Sequence, residues 1–165
     1  MKKKNVMQLL VVASLVVASS GTLNAQGKFG LGFIFGDPTG FSWKYKISGT
    51  NAIDGVVGFS PFNRFRVHVD YLWNARSFSD PNFLLYYGVG GELGFGRTEY
   101  VVYRGRYAYF DRYEPMSFGA RGVVGISYSI PRSPVELMLE AAPILVVAPV
   151  GGIGIDAGVG VRVYP

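Results

Sequence analysis

Read in steps of two from residue 28 onward, the chain resolves into eight segments in which apolar and polar positions alternate: 28–36, 40–47, 52–60, 65–73, 83–96, 116–130, 135–142 and 151–164. In the second, Phe41, Trp43, Tyr45 and Ile47 share one face while Ser42, Lys44 and Lys46 share the other; in the last, Ile153, Ile155, Ala157, Val159, Val161 and Val163 oppose Gly154, Asp156, Gly158, Gly160 and Arg162. Period two is the signature of β-strands, whose successive side chains point to opposite faces. No segment sustains a helical period. Across all eight, one face carries no charge and no Ser, Thr, Asn or Gln. The other holds Lys28, Lys44, Lys46, Arg66, Arg121 and Arg162 with Asp54, Asp70, Glu92, Glu136, Glu140 and Asp156.

Alternation alone leaves open which face points inward. An apolar interior would make a soluble, lipocalin-like binding barrel in the periplasm, with a solvent face of Lys, Glu, Thr and Gln. The polar face is instead rich in glycine, among them Gly30, Gly32, Gly58, Gly88, Gly90, Gly94, Gly125, Gly154 and Gly158. Glycine weakens an exposed strand but makes room for long Arg, Lys and Tyr side chains inside a narrow barrel. The expected fold is therefore all-β: an eight-stranded antiparallel up-and-down transmembrane barrel with a polar interior and an apolar outer face. Closure follows, because hydrocarbon offers no partner to the backbone of a free sheet edge. The interior charges are then expected to neutralise one another.

With both termini on the periplasmic side, the periplasmic turns are expected at 48–51, 74–82 and 131–134, and surface loops at 36–40, 61–64, 97–115 and 143–151. This threading gathers Phe35, Phe41, Trp43, Phe59, Phe65, Phe95 and Phe118 at the upper rim and Phe29, Tyr71, Trp73, Phe83 and Tyr128 at the lower, an aromatic-girdled apolar band. The run 141–149, apolar on both phases and interrupted by Pro143, fits either a bulged end of the seventh segment or a loop folded over the mouth.

The first residues change the charge picture. Lys2, Lys3 and Lys4 precede an apolar run from Leu9 to Ala18 and small residues ending at Leu23-Asn24-Ala25, as in a cleaved secretory signal peptide spanning residues 1–25. Without those three lysines, 13 Lys and Arg face 11 Asp and Glu and the formal charge of +5 falls to +2, so no nucleic-acid partner is expected. The absence of cysteine excludes a disulfide framework and a lipid-modified N-terminal cysteine. At 16% charged residues, the chain has less to face water with than a soluble domain at about 25%. The destination these features point to is a bacterial outer membrane, with its lipid, lipopolysaccharide and assembly machinery as surroundings.

The chain resembles the small outer-membrane barrels of the OmpA and OmpX type. Gly36-Asp37-Pro38-Thr39-Gly40-Phe41-Ser42-Trp43-Lys44-Tyr45 is similar to the first hairpin of one bacterial family of such barrels, as are Tyr86-Tyr87-Gly88-Val89-Gly90-Gly91 and Gly158-Val159-Gly160-Val161-Arg162. The resemblance covers nearly all of the chain after residue 25 and implies a fold without implying a reaction. Barrels of this kind usually end in an outward aromatic that the assembly machinery reads; here Tyr164 falls on the inward phase and Pro165 follows.

Candidate chemistry is sparse. His68 and Asp70 share a face, with Ser42 or Ser60 as conceivable nucleophiles, but a hydrolase needs nucleophile and base in hydrogen-bond reach beside oxyanion donors. Glu136 and Glu140, four apart on a strand, stand roughly 13 Å apart along it, too far for a direct acid/base pair. With one histidine and no cysteine, no metal or other cofactor is expected. These residues read instead as a lumenal charge network of Lys44, Lys46, Asp54, Arg66, His68, Asp70, Glu92, Arg121, Glu136, Glu140, Asp156 and Arg162. Residues 97–113 form a hairpin turning at 104–106, rich in Tyr100, Tyr103, Arg104, Arg106, Tyr107, Tyr109 and Arg112. Tyr and Arg dominate binding surfaces, and they equally suit a loop among lipopolysaccharide phosphates. The expected function is non-enzymatic, structural or surface-interaction, with an extracellular macromolecule as a possible partner. The alternatives are a lipid-modifying enzyme or lipid carrier using His68 and Asp70, the soluble lipocalin-like barrel, and a pore.

Overall fold

The computed structural model describes residues 27–60, 64–75, 78–96, 98–104, 107–113, 116–149 and 151–165, with β6 and β7 described by their backbone pairing. The signal peptide expected at 1–25 and Arg106 lie outside the described residues. Ten strands follow one another: β1 (Phe29–Gly36), β2 (Thr39–Lys46), β3 (Asn51–Ser60), β4 (Arg64–Ala75), β5 (Phe83–Phe95), β6 (Thr98–Arg104), β7 (Tyr107–Tyr113), β8 (Met116–Ser129), β9 (Val135–Ala148) and β10 (Gly152–Val163). Eight of them close into an antiparallel barrel in the order β1-β10-β9-β8-β5-β4-β3-β2, while β6 and β7 pair with each other. This is the expected all-β, eight-stranded architecture.

Short polar turns set the lower rim. Ser48 Oγ accepts from the backbone N–H of Thr50 and Asn51 between β2 and β3. Asp80 Oδ1 accepts from Asn82 N–H at 2.9 Å ahead of β5, the side chain substituting for a backbone turn. At the upper rim, Gly36 adopts φ +146°, which L side chains rarely reach, and Thr39 Oγ1 both accepts from Gly36 N–H and donates to its carbonyl. Stepping along paired residues from Gly32 through Ser42, Val56, His68, Glu92, Gly119 and Val146 leads to Gly152, whereas Gly32 pairs directly with Arg162, ten residues further along β10. That stagger tilts the strands and leaves an interior that side chains can fill.

The two faces are turned as the alternation predicts. Phe41, Val69 and Val159 are exposed on the outside, while Lys44, Asp70, Glu92 and Arg162 are buried. Outside, aromatic rows follow the register: Phe59, Phe65 and Phe95 in edge and tilted contacts above, Tyr71, Trp73 and Tyr87 below. Gly55 is buried on the outward phase because the Trp43 indole lies across it.

Two expectations need correction. Residues 143–148, placed in a surface loop on one reading, continue β9, so the strand-end alternative is the one found. Pro143 pairs with Ile155 on the β10 side but falls in a gap of the β8 ladder between Arg121↔Ile144 and Val124↔Ala141, where no N–H is required. The ladder also shifts register between Phe118 and Gly119, the expected bulge. Lys28, assigned to the interior, is exposed at the lower rim, one residue before β1, although its carbonyl still accepts from Lys46 N–H at 2.7 Å.

Candidate functional site

The barrel interior is built from the polar phase of every barrel strand, and its upper layer centres on one arginine. Arg66 lies near the upper end of β4. Its Nε donates to Glu92 Oε1 at 3.1 Å and its Nη1 to Asp156 Oδ1 at 2.8 Å; Nη2 reaches Glu92 Oε2 and, at 2.9 Å, Asp156 Oδ2. Asp37, in the turn after β1, accepts from Arg66 Nη1 at 2.9 Å and brings a third carboxylate over the mouth. Two bidentate pairs on one guanidinium demand that β4, β5 and β10 hold one relative register.

Below this layer Arg121 links the levels. Its Nη1 donates to His68 Nδ1 at 2.7 Å and reaches Asp156 Oδ2 at 3.4 Å; Nε stands 3.1 Å from Asp70 Oδ2 and Nη2 stands 3.6 Å from Glu140. Because a guanidinium can only donate, His68 Nδ1 accepts and its Nε2 bears the proton. Glu140 also accepts from the Tyr86 hydroxyl at 3.0 Å, and a Cβ at Gly125 would strike that tyrosine ring, so this glycine is the space Tyr86 occupies. Lower still, Arg162 donates from Nε to Ser42 Oγ at 2.9 Å and from Nη2 to Asp54 Oδ2 at 2.8 Å. Glu136 accepts from Tyr164 at 3.1 Å and stands 3.6 Å from Lys44 Nζ, while Lys46 lies over the Tyr164 ring at 3.7 Å.

The structure thus brings together all twelve residues of the expected lumenal set. It adds Asp37, Ser42, Tyr86 and Tyr164, of which Tyr86 was visible in the alternation as a polar-phase tyrosine beside Gly88, and Asp37 was hidden in a turn. With Lys28 outside, the interior carboxylates Asp54, Asp70, Glu92, Glu136, Glu140 and Asp156 outnumber the cations Lys44, Lys46, Arg66, Arg121 and Arg162 by one. Asp37 adds another negative charge at the mouth.

His68 and Asp70 do not assemble with a nucleophile. His68 Nε2 is 3.8 Å from Asp70 Oδ2, its other nitrogen is taken by Arg121, and Ser42 is held by Arg162. Glu136 and Glu140 belong to separate clusters. The interior is filled by charged side chains packed with the buried Ile34, Val56, Met138, Leu72 and Val123, where a lipocalin-like ligand would need an apolar-walled cavity. Among the described residues no group of His, Cys, Asp and Glu is arranged to hold a metal.

Above the mouth, β6 and β7 form the hairpin, with Arg104↔Tyr107 as its last pair before the turn and Thr98↔Tyr113 as its first. That first pair lies three residues beyond Phe95↔Met116 on both sides, so the hairpin keeps the register of β5 and β8. Tyr100, Tyr103 and Arg104 stand on β6 and Tyr107, Tyr109 and Arg112 on β7, with Glu99 paired to Arg112 in the register.

Residues 21–162 match a family described as protein of unknown function, DUF3996. The chain belongs to that family. Among solved structures, the barrel is similar to the crystal structure of neisserial surface protein A, with a TM-score of 0.50 and 16% identity over 83% of this chain and 93% of that one. A likeness at that identity speaks to the fold, an eight-stranded barrel in both. No curated protein matches the sequence.

Proposed function

We propose that this chain is a non-enzymatic outer-membrane barrel, exported through its N-terminal signal and acting as a structural or surface-interaction protein through the parts that stand above its upper rim. One observation carries the reading: a closed sheet exposes Phe33, Phe59, Val89, Leu139 and Val159 outside and buries Arg162, Lys44, Asp70 and Arg121 inside. In water that arrangement is inverted, since it exposes a continuous apolar wall and buries ten charged side chains. In a bilayer both faces are matched. The fold-level likeness to a protein titled as a surface protein is in keeping with it.

Within this reading the wall meets outer-membrane lipid and the hairpin residues Tyr100, Tyr103, Arg104, Arg106, Tyr107, Tyr109 and Arg112 meet lipopolysaccharide or an extracellular macromolecule. The filled interior argues against conduction. Cell fractionation followed by gel electrophoresis of heated and unheated detergent samples tests the assignment. The chain is expected in the outer-membrane fraction, with a band that changes mobility on boiling as the closed sheet unfolds. Recovery in the soluble fraction without such a shift would refute the membrane assignment.

A further inference from the structure

The barrel does not close to the same height all round. The ladder between β1 and β10 runs from Leu31↔Val163 to Gly36↔Gly158 and there β1 ends, while β10 continues upward to Gly152. One more bond, from Asp37 N–H to the Ala157 carbonyl at 3.0 Å, completes it. Above that point β10 is paired with β9 through Gly152↔Val146 to Ala157↔Ala141, and among the described residues nothing pairs with its other side.

Because the Ala157 carbonyl points toward β1, the backbone groups of Ile155 and Ile153, two and four residues along, point the same way. They form an open edge about 17 Å long with Gly152 and Ala157 at its ends, at about 3.4 Å per residue. The side chains tell the same story. Ile153 and Ile155 are 88% and 74% exposed, above every other large apolar residue of the outer wall among the described residues. On the opposite face, a Cβ at Gly154 would meet nothing closer than Ile144 on β9 at 4.0 Å, so the inner side of this edge is open too.

We infer that this edge, Gly152–Ala157, is a docking site for an extended polypeptide segment that adds a strand to the barrel wall above β1. Main-chain hydrogen bonding supplies the affinity in strand addition, and pockets for alternate side chains supply the selectivity. Here the segment would place β-branched or other apolar side chains beside Ile153 and Ile155, and small ones over the glycine face. The site continues an existing ladder, so the incoming strand runs parallel in space to β1 and meets geometry already set by six pairs. Hydrocarbon cannot satisfy the free backbone groups, which puts the edge at or above the headgroup layer and within reach of a partner. A second copy of this chain is a poor occupant. Two barrels inserted in the same sense both run β10 downward from the rim, so an antiparallel match between their edges is not available.

The proposal rests on the outer-membrane reading for the depth of the edge, the exclusion of a second copy and the side from which the partner arrives, while the open edge itself stands without it. Purified full-length chain in detergent micelles tests the edge itself, with a blocked Val-Ser-Val-Ser-Val-Ser hexapeptide as probe. Amide exchange at Ile153 and Ile155 is expected to be fast in the free chain and to slow about tenfold or more with the peptide bound. The double variant Ile153→Pro, Ile155→Pro removes the two edge donors while sparing the β9 ladder, and should weaken peptide binding about tenfold or more. Three results would overturn the inference: amides already protected in the free chain, no slowing at millimolar peptide, or equal binding by the folded double variant. A dimer that the double variant dissolves would make a second copy the occupant and likewise overturn it. Sidedness is read separately. The chain has no cysteine, so Ile153→Cys in intact cells should react with an impermeant maleimide; reaction only after permeabilisation would break the outer-membrane topology while leaving the exchange result standing.

Discussion

The upper and lower halves of the lumen hold similar charges in different ways. Around Arg66 every guanidinium nitrogen donates within 3.1 Å to Glu92, Asp156 or Asp37. Around Glu136 the cations stand off, Lys44 at 3.6 Å and Arg162 at 3.8 Å, and Lys44 Nζ and Arg162 Nη1 make no hydrogen bond. Both halves are buried. The upper one is directional and fixes strand register at the end of the barrel where β1 stops; in the lower one Arg162 is fixed by Ser42 and Asp54, while the cations facing Glu136 are held by opposite charge without a hydrogen bond to it. Burial alone therefore does not tell how much an ion pair specifies.

The comparison can be broken most forcefully at Arg66. Arg66→Met leaves three carboxylates facing one another without their common partner and should cost about 3–5 kcal/mol, read as a lower urea midpoint for loss of the compact gel band. Arg66→Lys keeps the charge without the fork and should recover only part of that. Lys44→Met is expected to change stability by about 1 kcal/mol or less, because Glu136 keeps Tyr164 and Arg162 and the apolar chain still covers Tyr86. If Lys44→Met destabilises as much as Arg66→Met in the same urea titration, the two halves do not differ as described. Asp37→Asn sharpens the contrast at its small end. This carboxylate is partly exposed, so its loss should cost about 0.5–1 kcal/mol, with a difference from wild type that shrinks in high salt.

Much of this was legible in the chain because the physics that makes a barrel wall also writes period two. Each strand must turn apolar side chains to one face and the barrel's own charges to the other, so Lys44 between Trp43 and Tyr45, or Asp70 between Val69 and Tyr71, declares its direction without any structure. What alternation cannot carry is where a strand stops and what a turn residue touches. Pro143 reads as a breaker, yet it sits where β8 asks nothing of its nitrogen, and β9 runs on to Ala148. Lys28 has the right parity but stands at the lower rim, where its side chain is exposed. Asp37 reaches Arg66 across 29 positions of sequence, a contact set by closure alone. The open edge of β10 arises the same way, from a mismatch between strands far apart in the chain.

Strand length carries one more implication. β1 and β2 have 8 residues each and β8 and β9 have 14. With a tilt of about 40° these correspond to roughly 20 Å and 35 Å of height. On the outer-membrane reading the tall strands run on beyond the acyl layer while β1 and β2 fall short of it, so the molecule would sit leaning, or draw the leaflet down beside its low side. Its lipid annulus would then be lopsided, giving the barrel a front and a back in the plane of the bilayer.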